Sequence, residues 1–133
     1  MSDSTKIKVM RSQLGRARGL GAAKSGTHHW WLERATAIAL IPLTLWFVYV
    51  VIHLAGQPQA TVQHWAAHPV NTVLLLALVA MTFQHMQLGL QVVMEDYIEN
   101  KKIQASAMLL TKVVAALLGL LCAVSILRMA FTA

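Results

Sequence analysis

Three residues in one apolar stretch are the strongest candidates for chemistry: His85, Asp96 and Tyr97. The stretch, residues 70–97, is apolar enough to cross a bilayer as a helix, which takes ~20 residues. Ionisable residues are costly in lipid, so an imidazole there is a functional-site hypothesis. An imidazole can bind a metal, and an adjacent carboxylate and phenol can hydrogen-bond a ligand and exchange protons with it. Together the three residues predict a redox cofactor next to a proton-coupled site.

Helical geometry relates these residues to one another. At ~100° per residue, His85, Gly89 and Asp96 fall within ~40° of one line along the helix. Gly89 lacks a side chain one turn from the histidine, which leaves room for a flat macrocycle against the backbone. Tyr97 lies ~18 Å along the axis from His85 and ~120° around it. A ligand held by Tyr97 would therefore sit above and beside a group on His85.

Structural roles are the alternative for each of these residues. His85 would then be a buried histidine hydrogen-bonded to a neighbouring helix. Tyr97 would be an interfacial aromatic residue, and Asp96 an acid at a helix end. Spacing alone leaves both alternatives open.

Composition identifies a membrane protein. The chain has 133 residues, is 57% hydrophobic and 12% charged, and has a mean hydropathy of +0.59. These values predict one compact all-α unit in a membrane. The net charge of +6 does not point to nucleic acid, because the basic residues flank apolar stretches, where they act as topology signals. A single cysteine excludes an internal disulfide.

The predicted organisation is a basic tail followed by three transmembrane helices. Residues 1–27 form the tail, which we expect on the cytoplasmic face against anionic lipid; a mitochondrial presequence is the alternative. Residues 28–133 form the anchor domain, with spans at about 35–54, 70–94 and 108–131. The segments between the spans, 55–69 and 99–107, are expected as connections. In the third span, small residues recur every fourth position, which favours close helix packing: Ala115, Gly119 and Ala123.

Orientation follows from the distribution of lysine and arginine. Seven precede or open the first span, the connection 55–69 has none, and the second connection has two. The positive-inside rule then puts the N-terminus in the cytoplasm (or an organelle matrix) and the C-terminus in the periplasm. Asp96 and Tyr97 accordingly face the cytoplasm.

The chain offers only half of an electron-transfer haem site. A six-coordinate haem needs two axial ligands at the same depth. His85 is one, whereas the third span has no histidine and His53 lies at the opposite membrane edge. The second ligand is expected from another polypeptide, in a heteromeric helix bundle. His64 and His68 are too irregularly spaced to predict a separate metal site.

Quinone chemistry would use the other two candidates. Reducing a quinone takes two electrons and two protons. The Tyr97 hydroxyl can donate to a quinone carbonyl, and the neighbouring Asp96 can hold the phenol or relay a proton. The electrons must come from outside this chain, so the chain alone is not expected to be an enzyme.

Two motifs carry a family resemblance. The first is HxxxGxxxxxxDY, formed by His85, Gly89, Asp96 and Tyr97. The second is HxxxxxRATAI, which runs from His28 through Arg34 to Ile38. Together the motifs resemble the D-type hydrophobic membrane anchor of succinate dehydrogenase. The resemblance covers the order, length and topology of the first two spans. The third span resembles the family only in being one more apolar span.

The resemblance implies a place in complex II. There, a flavoprotein subunit oxidises succinate, an iron–sulfur subunit passes electrons inwards, and a C-type and a D-type anchor share a b-type haem and contribute to ubiquinone reduction. This links the tricarboxylic acid cycle to the respiratory chain. His85 would be an axial ligand of the haem iron, with its partner histidine in the C-type anchor. Tyr97 and Asp96 would bind the quinone, and Arg34 and His28 would lie near the haem propionates.

The resemblance has rivals and departures. The rivals are a fumarate reductase anchor working in reverse and a small non-haem transporter or assembly subunit with His85 as a proton relay. The expected location is the bacterial inner membrane, or alternatively that of mitochondria. The departures are the longer basic tail and Glu95 before the Asp–Tyr pair. The sequence assigns no role to four further histidines: His29, His53, His64 and His68.

Overall fold

The structure, a computed structural model, describes residues 24–132. This part of the chain is entirely helical, with no strand. Its elements are α1 (Lys24–Leu54), α2 (Gln59–Ala67), α3 (Pro69–Tyr97) and α4 (Lys101–Thr132). Most of the predicted basic tail, residues 1–27, lies outside the described residues, and the division into tail and anchor domain stays a prediction.

Three of these helices are long and apolar enough to cross a membrane. The apolar part of α1 has 29 residues, α3 has 29 and α4 has 32. Each predicted span lies inside one of them, and the prediction of an all-α protein with three membrane helices is confirmed. The helices are longer than the ~20 residues that the bilayer core requires. They continue into polar flanks, where helical backbone hydrogen bonds still form although the hydropathy signal has ended.

The first connection contains a helix that the sequence analysis did not predict. Residues 55–69, expected as a loop, include the nine residues of α2. Trp65 of α2 stacks on Trp46 of α1, with ring centroids 5.8 Å apart, and Ala66 is 2% exposed. Tertiary packing therefore stabilises a helix that is too short to give a clear periodic pattern. Gly56, with a φ of 79°, makes the turn that precedes it.

Helix α3 is the centre of the bundle. Both α1 and α4 pack against it, and they make no comparable contact with each other within the described residues. Helices α1 and α4 run antiparallel to α3, so α1 begins at the same end of the bundle where α3 ends. We call the end where α1 begins and α3 ends the Tyr97 end, and the opposite end the His53 end.

The second connection is shorter than predicted. Residues 99–107 were expected to form it, but α4 begins at Lys101, which leaves three residues between the helices. Asn100 explains the early start, since its Oδ1 accepts a hydrogen bond from the backbone N–H of Lys102 at 3.0 Å. This side-chain cap satisfies one of the free N–H groups at the start of a helix.

Gln104 ties the beginning of α4 to the end of α3. It is buried, and its Nε2 donates to the backbone carbonyls of Met94 at 3.2 Å and Glu95 at 3.3 Å. These carbonyls belong to the last turn of α3. The last turn, which carries Asp96 and Tyr97, is therefore tied to α4.

The small residues of α4 face α3. Ala115 is 3% exposed, and Gly119 lies against the ring of Phe83. A Cβ atom built at Gly119 would lie 3.4 Å from Phe83 Cδ2, so the ring occupies the space beside the glycine and leaves no room for a side chain larger than a methyl group.

Very little of the chain between residues 24 and 132 is buried within the chain itself. Among the described residues, five apolar side chains are buried, along with Thr36 and Gln104. Large apolar side chains are exposed along all three long helices. Such a surface is suited to lipid and to helices of other subunits.

Candidate functional site

His85 lies on the face of α3 that packs against α1. Its side chain is half-buried, and its Nδ1 lies 3.0 Å from Oγ1 of Thr36 on α1. Within residues 24–132 its second ring nitrogen, Nε2, has no hydrogen-bond partner. One edge of the imidazole therefore faces α1, and the other is available to a group outside the chain.

Open space lies next to His85, one turn towards the Tyr97 end. Gly89 occupies that position, and a Cβ atom built there would meet nothing within 4 Å. Residues four apart lie on the same face of a helix. The surroundings of His85 thus fit a flat cofactor such as haem, which needs both a free imidazole nitrogen and room along the helix.

Thr36 is the partner that the sequence analysis did not assign. It forms part of the second motif, but no role was predicted for it. It is 6% exposed, and its Oγ1 lies 2.8 Å from the carbonyl oxygen of Leu32 and 3.0 Å from that of Glu33. The available signal was a hydroxyl group in an apolar span, at the depth where antiparallel packing brings α3 alongside.

No second histidine of residues 24–132 shares the depth of His85. Thr36 marks that depth on α1, and His53 lies 17 residues further along, ~25 Å at 1.5 Å per residue. His53 Nδ1 instead lies 3.0 Å from the carbonyl oxygen of Tyr49 in its own helix. His28 lies eight residues before Thr36, ~12 Å in the other direction.

Arg34 and His28 both lie between Thr36 and the Tyr97 end. Arg34 is exposed, and its guanidinium carbon lies 4.1 Å from the ring centroid of Trp30, a cation–π contact. His28 is also exposed. Neither side chain makes a hydrogen bond with His85, but both lie on the side of His85 that leads towards Tyr97.

A cavity of about 330 Å³ opens at the Tyr97 end between α1 and α3. Its lining is Gly26, His28, His29, Leu32, Gln91 and Glu95. Gln91 donates to Glu95 Oε1 at 2.8 Å, so Glu95 is held within its own helix. His29 Nε2 is buried and has no partner within the described residues. No sequence pattern distinguishes His29 from the other histidines, because the cavity exists only where two helices meet.

Asp96 and Tyr97 are exposed at the C-terminus of α3. Tyr97 is 83% exposed, and the helix ends immediately after it, where the Ile98 N–H donates to the Met94 carbonyl. The acid and the phenol are adjacent residues of one helix and therefore lie at the same end of the bundle. The described residues do not enclose either side chain. A ligand bound there would need walls from another chain.

Comparison with known proteins gives the family. Residues 8–121 match the model of the succinate dehydrogenase/fumarate reductase transmembrane subunit family. This chain belongs to that family. Named relatives are similar over most of their length. The succinate dehydrogenase hydrophobic membrane anchor subunit of Rickettsia bellii is 35% identical over 102 residues, which are 77% of this chain and 82% of the relative.

Two further anchor subunits support the assignment to the transmembrane subunit family. That of Rickettsia conorii is 32% identical over 103 residues, 77% of this chain and 82% of the relative. That of Paracoccus denitrificans is 30% identical over 84 residues, 63% of this chain and 65% of the relative. No solved structure shows significant similarity to the chain. With three membrane-length helices and bacterial relatives of this kind, the chain is a multi-pass inner-membrane protein.

Proposed function

We propose that this chain is the D-type anchor of a succinate:quinone oxidoreductase and that it holds a b-type haem through His85. The observation that carries the proposal is the state of that side chain: one imidazole nitrogen is engaged by α1, and the other is free beside the open space at Gly89. A haem bound there would supply one-electron transfer within the membrane.

The haem would be shared with a second anchor polypeptide, the C-type anchor. A six-coordinate electron-transfer haem needs a second axial ligand. The histidines of α1 lie ~10.5 Å (His29), ~12 Å (His28) and ~25 Å (His53) along that helix from the depth of Thr36. The exposed apolar faces of α1, α3 and α4 support such a partner, because they provide surface for further helices. Arg34 and His28, between Thr36 and the Tyr97 end, would hydrogen-bond the haem propionates.

Ubiquinone would be reduced at the Tyr97 end. The Tyr97 hydroxyl would donate a hydrogen bond to a quinone carbonyl, which orients the ring and polarises the C=O bond. The Asp96 carboxylate beside it would hold the phenol or pass on one of the two protons that reduction requires. The exposure of both side chains supports this role, because a ligand shared between subunits needs groups that the chain itself leaves uncovered.

The orientation and the remaining subunits complete the proposal. The Tyr97 end and the basic N-terminal segment would face the cytoplasm, where an iron–sulfur subunit would deliver electrons that a flavoprotein subunit takes from succinate. The chain would then connect the tricarboxylic acid cycle to the respiratory chain without catalysing a reaction by itself. The name of the family includes fumarate reductase, but the relatives described above are named for succinate dehydrogenase, which favours succinate oxidation.

The test is the haem spectrum of the purified complex. Replacing the proposed ligand, His85→Ala, should abolish or strongly reduce the reduced-minus-oxidised b-type spectrum. The matched control is His53→Ala, which removes a histidine from the same bundle at the opposite end and should leave the spectrum unchanged. Size-exclusion chromatography and flavin content report whether each complex has assembled.

Two results would contradict the proposal. A full b-type spectrum in the assembled His85→Ala complex would show that another residue binds the iron. Equal loss of the spectrum in both variants would show that any perturbation of the bundle expels the cofactor.

A further inference from the structure

The hydroxyl of Thr36 contacts three groups at once. Its Oγ1 lies 2.8 Å from the Leu32 carbonyl oxygen, 3.0 Å from the Glu33 carbonyl oxygen and 3.0 Å from His85 Nδ1. All three distances are within hydrogen-bonding range. A hydroxyl group has one proton and two lone pairs, so the three contacts cannot all use the proton.

The proton of Thr36 can be assigned by elimination. A carbonyl oxygen has no proton, so each short contact between Oγ1 and a carbonyl needs the hydroxyl proton between the two atoms; otherwise oxygen lone pairs would face each other. The proton is therefore shared by the two carbonyls in the preceding turn of α1. The contact with His85 is left to an Oγ1 lone pair, and the imidazole must be the donor: Nδ1–H of His85 donates to Thr36.

This assignment determines which ring nitrogen can bind a metal. A neutral imidazole carries one proton, and a proton on Nδ1 leaves the lone pair on Nε2. Nε2 is the nitrogen without a hydrogen-bond partner in the described residues. A metal-binding histidine typically donates its other N–H to an oxygen that fixes its tautomer and ring orientation.

From this geometry we infer that Thr36 is a positioning residue for the haem ligand. It holds His85 as the Nδ1–H tautomer and aims Nε2 away from α1, an inference that rests on the proposed haem-binding function of His85. Thr36 is well suited to the task because it is 6% exposed and its hydroxyl is anchored to its own helix. In this dry contact between helices the hydrogen bond is stronger than it would be in water.

The experiment removes the hydroxyl group that accepts the hydrogen bond from His85 and keeps the shape of the side chain at position 36. Thr36→Val has nearly the same volume but no hydroxyl, and it leaves Nδ1–H unpaired at a buried contact. Loss of such a supporting partner typically costs about 10- to 100-fold in metal affinity. We therefore expect the purified complex to retain less haem in competition with apomyoglobin and its haem midpoint potential to rise, because Nε2 becomes a weaker base and stabilises ferric iron less.

Three variants accompany Thr36→Val. Thr36→Ser keeps the hydroxyl and should restore both haem retention and potential. Thr36→Ala also lacks the hydroxyl and should reproduce the direction of both changes. Thr44→Val is the matched control: Thr44 lies on the same helix and donates to the carbonyls of Leu40 at 2.6 Å and Ile41 at 3.1 Å, but within residues 24–132 it has no hydrogen bond with a histidine. It should behave like the parent complex.

The results separate this inference from the proposed function. Parental haem retention and potential in Thr36→Val would overturn the role of Thr36, and so would equal changes in Thr36→Ser or Thr44→Val. In each of these cases loss of haem in His85→Ala still supports the proposed function. A full spectrum in His85→Ala would overturn both.

Discussion

Tyr97 and Asp96 are the residues whose exposure matters most for function. Adjacent residues of a helix point ~100° apart, so the phenol and the carboxylate can approach a ligand from different directions. Neither is enclosed by the described chain, and Tyr97 is 83% exposed. We therefore expect a quinone site that is completed by the partner subunits, in which this chain supplies hydrogen-bonding groups and the partners supply most of the walls.

Tyr97→Phe tests the phenol specifically, since it removes one oxygen and keeps the ring. We expect succinate–quinone reductase activity to fall, on the order of 100-fold if the hydroxyl acts in proton transfer, while haem content stays near the parental value. The measurements are quinone reduction kinetics and the b-type spectrum of the same preparation. Tyr49→Phe is the control, because Tyr49 is the other tyrosine of the chain and lies near the His53 end. Parental turnover in Tyr97→Phe would refute the role of the phenol.

At the scale of elements, the contact between α3 and α4 fixes the last turn of α3. Gln104 binds two carbonyls of that turn, and Gly119 accepts the ring of Phe83 in the middle of the same contact. In a bilayer, helices associate through close packing and hydrogen bonds between them, because lipid removes the hydrophobic driving force. Gln104 therefore holds the Tyr97 end against α4, and the Gly119–Phe83 contact holds the middle of the two helices together.

Enlarging Gly119 should loosen the α3–α4 contact. Gly119→Leu puts a branched side chain into the space of the Phe83 ring, and overpacking of this kind costs about 1–3 kcal/mol. We expect a lower Tm for the purified complex in detergent, measured by thermal unfolding. Gly119→Ala is the graded comparison and should change Tm much less, because its Cβ would lie 3.4 Å from Phe83 Cδ2, in ordinary van der Waals contact. A Tm for the leucine variant equal to that of the parent would show that this face of α4 does not pack closely against α3.

At the scale of the whole molecule, the chain has the surface of a component and not of a self-sufficient domain. Five buried apolar side chains cannot form a core for the 109 described residues from 24 to 132. The large apolar side chains along α1, α3 and α4 must be covered by lipid or by other helices. This exposed surface agrees with a haem site that needs a second axial ligand from another polypeptide, and with a quinone site that needs residues of partner subunits around it.

Expression of the chain by itself tests that view. Purified alone in detergent, it should give no six-coordinate b-type spectrum, because it offers one histidine at the depth of Thr36. Co-expression with its partner anchor should restore the spectrum and give a larger, discrete species in size-exclusion chromatography. A six-coordinate spectrum from the chain alone would instead indicate that a second copy supplies the other His85.

How much could be predicted from the sequence depended on the range of the interaction. Residues of one helix are related by a fixed rotation and rise, so the positions of His85, Gly89, Asp96 and Tyr97 relative to one another followed from their spacing. Hydropathy likewise predicted three membrane helices, since the bilayer imposes a minimum apolar length. Helix ends are predicted less well. The sequence predicts a loop where α2 forms and a second connection six residues longer than the observed one, because packing and the Asn100 cap extend helices beyond the apolar segments.

The sequence by itself determined the fold class, the family resemblance and which histidine lies well inside an apolar stretch, all of which depend on residue type and local spacing. Only the tertiary structure decided which residue of α1 meets His85, which nitrogen stays free, and that Phe83 packs against Gly119. The physical reason is that contacts between helices depend on their relative depth and rotation. Those quantities are set by many weak contacts along the whole interface and not by any local sequence pattern.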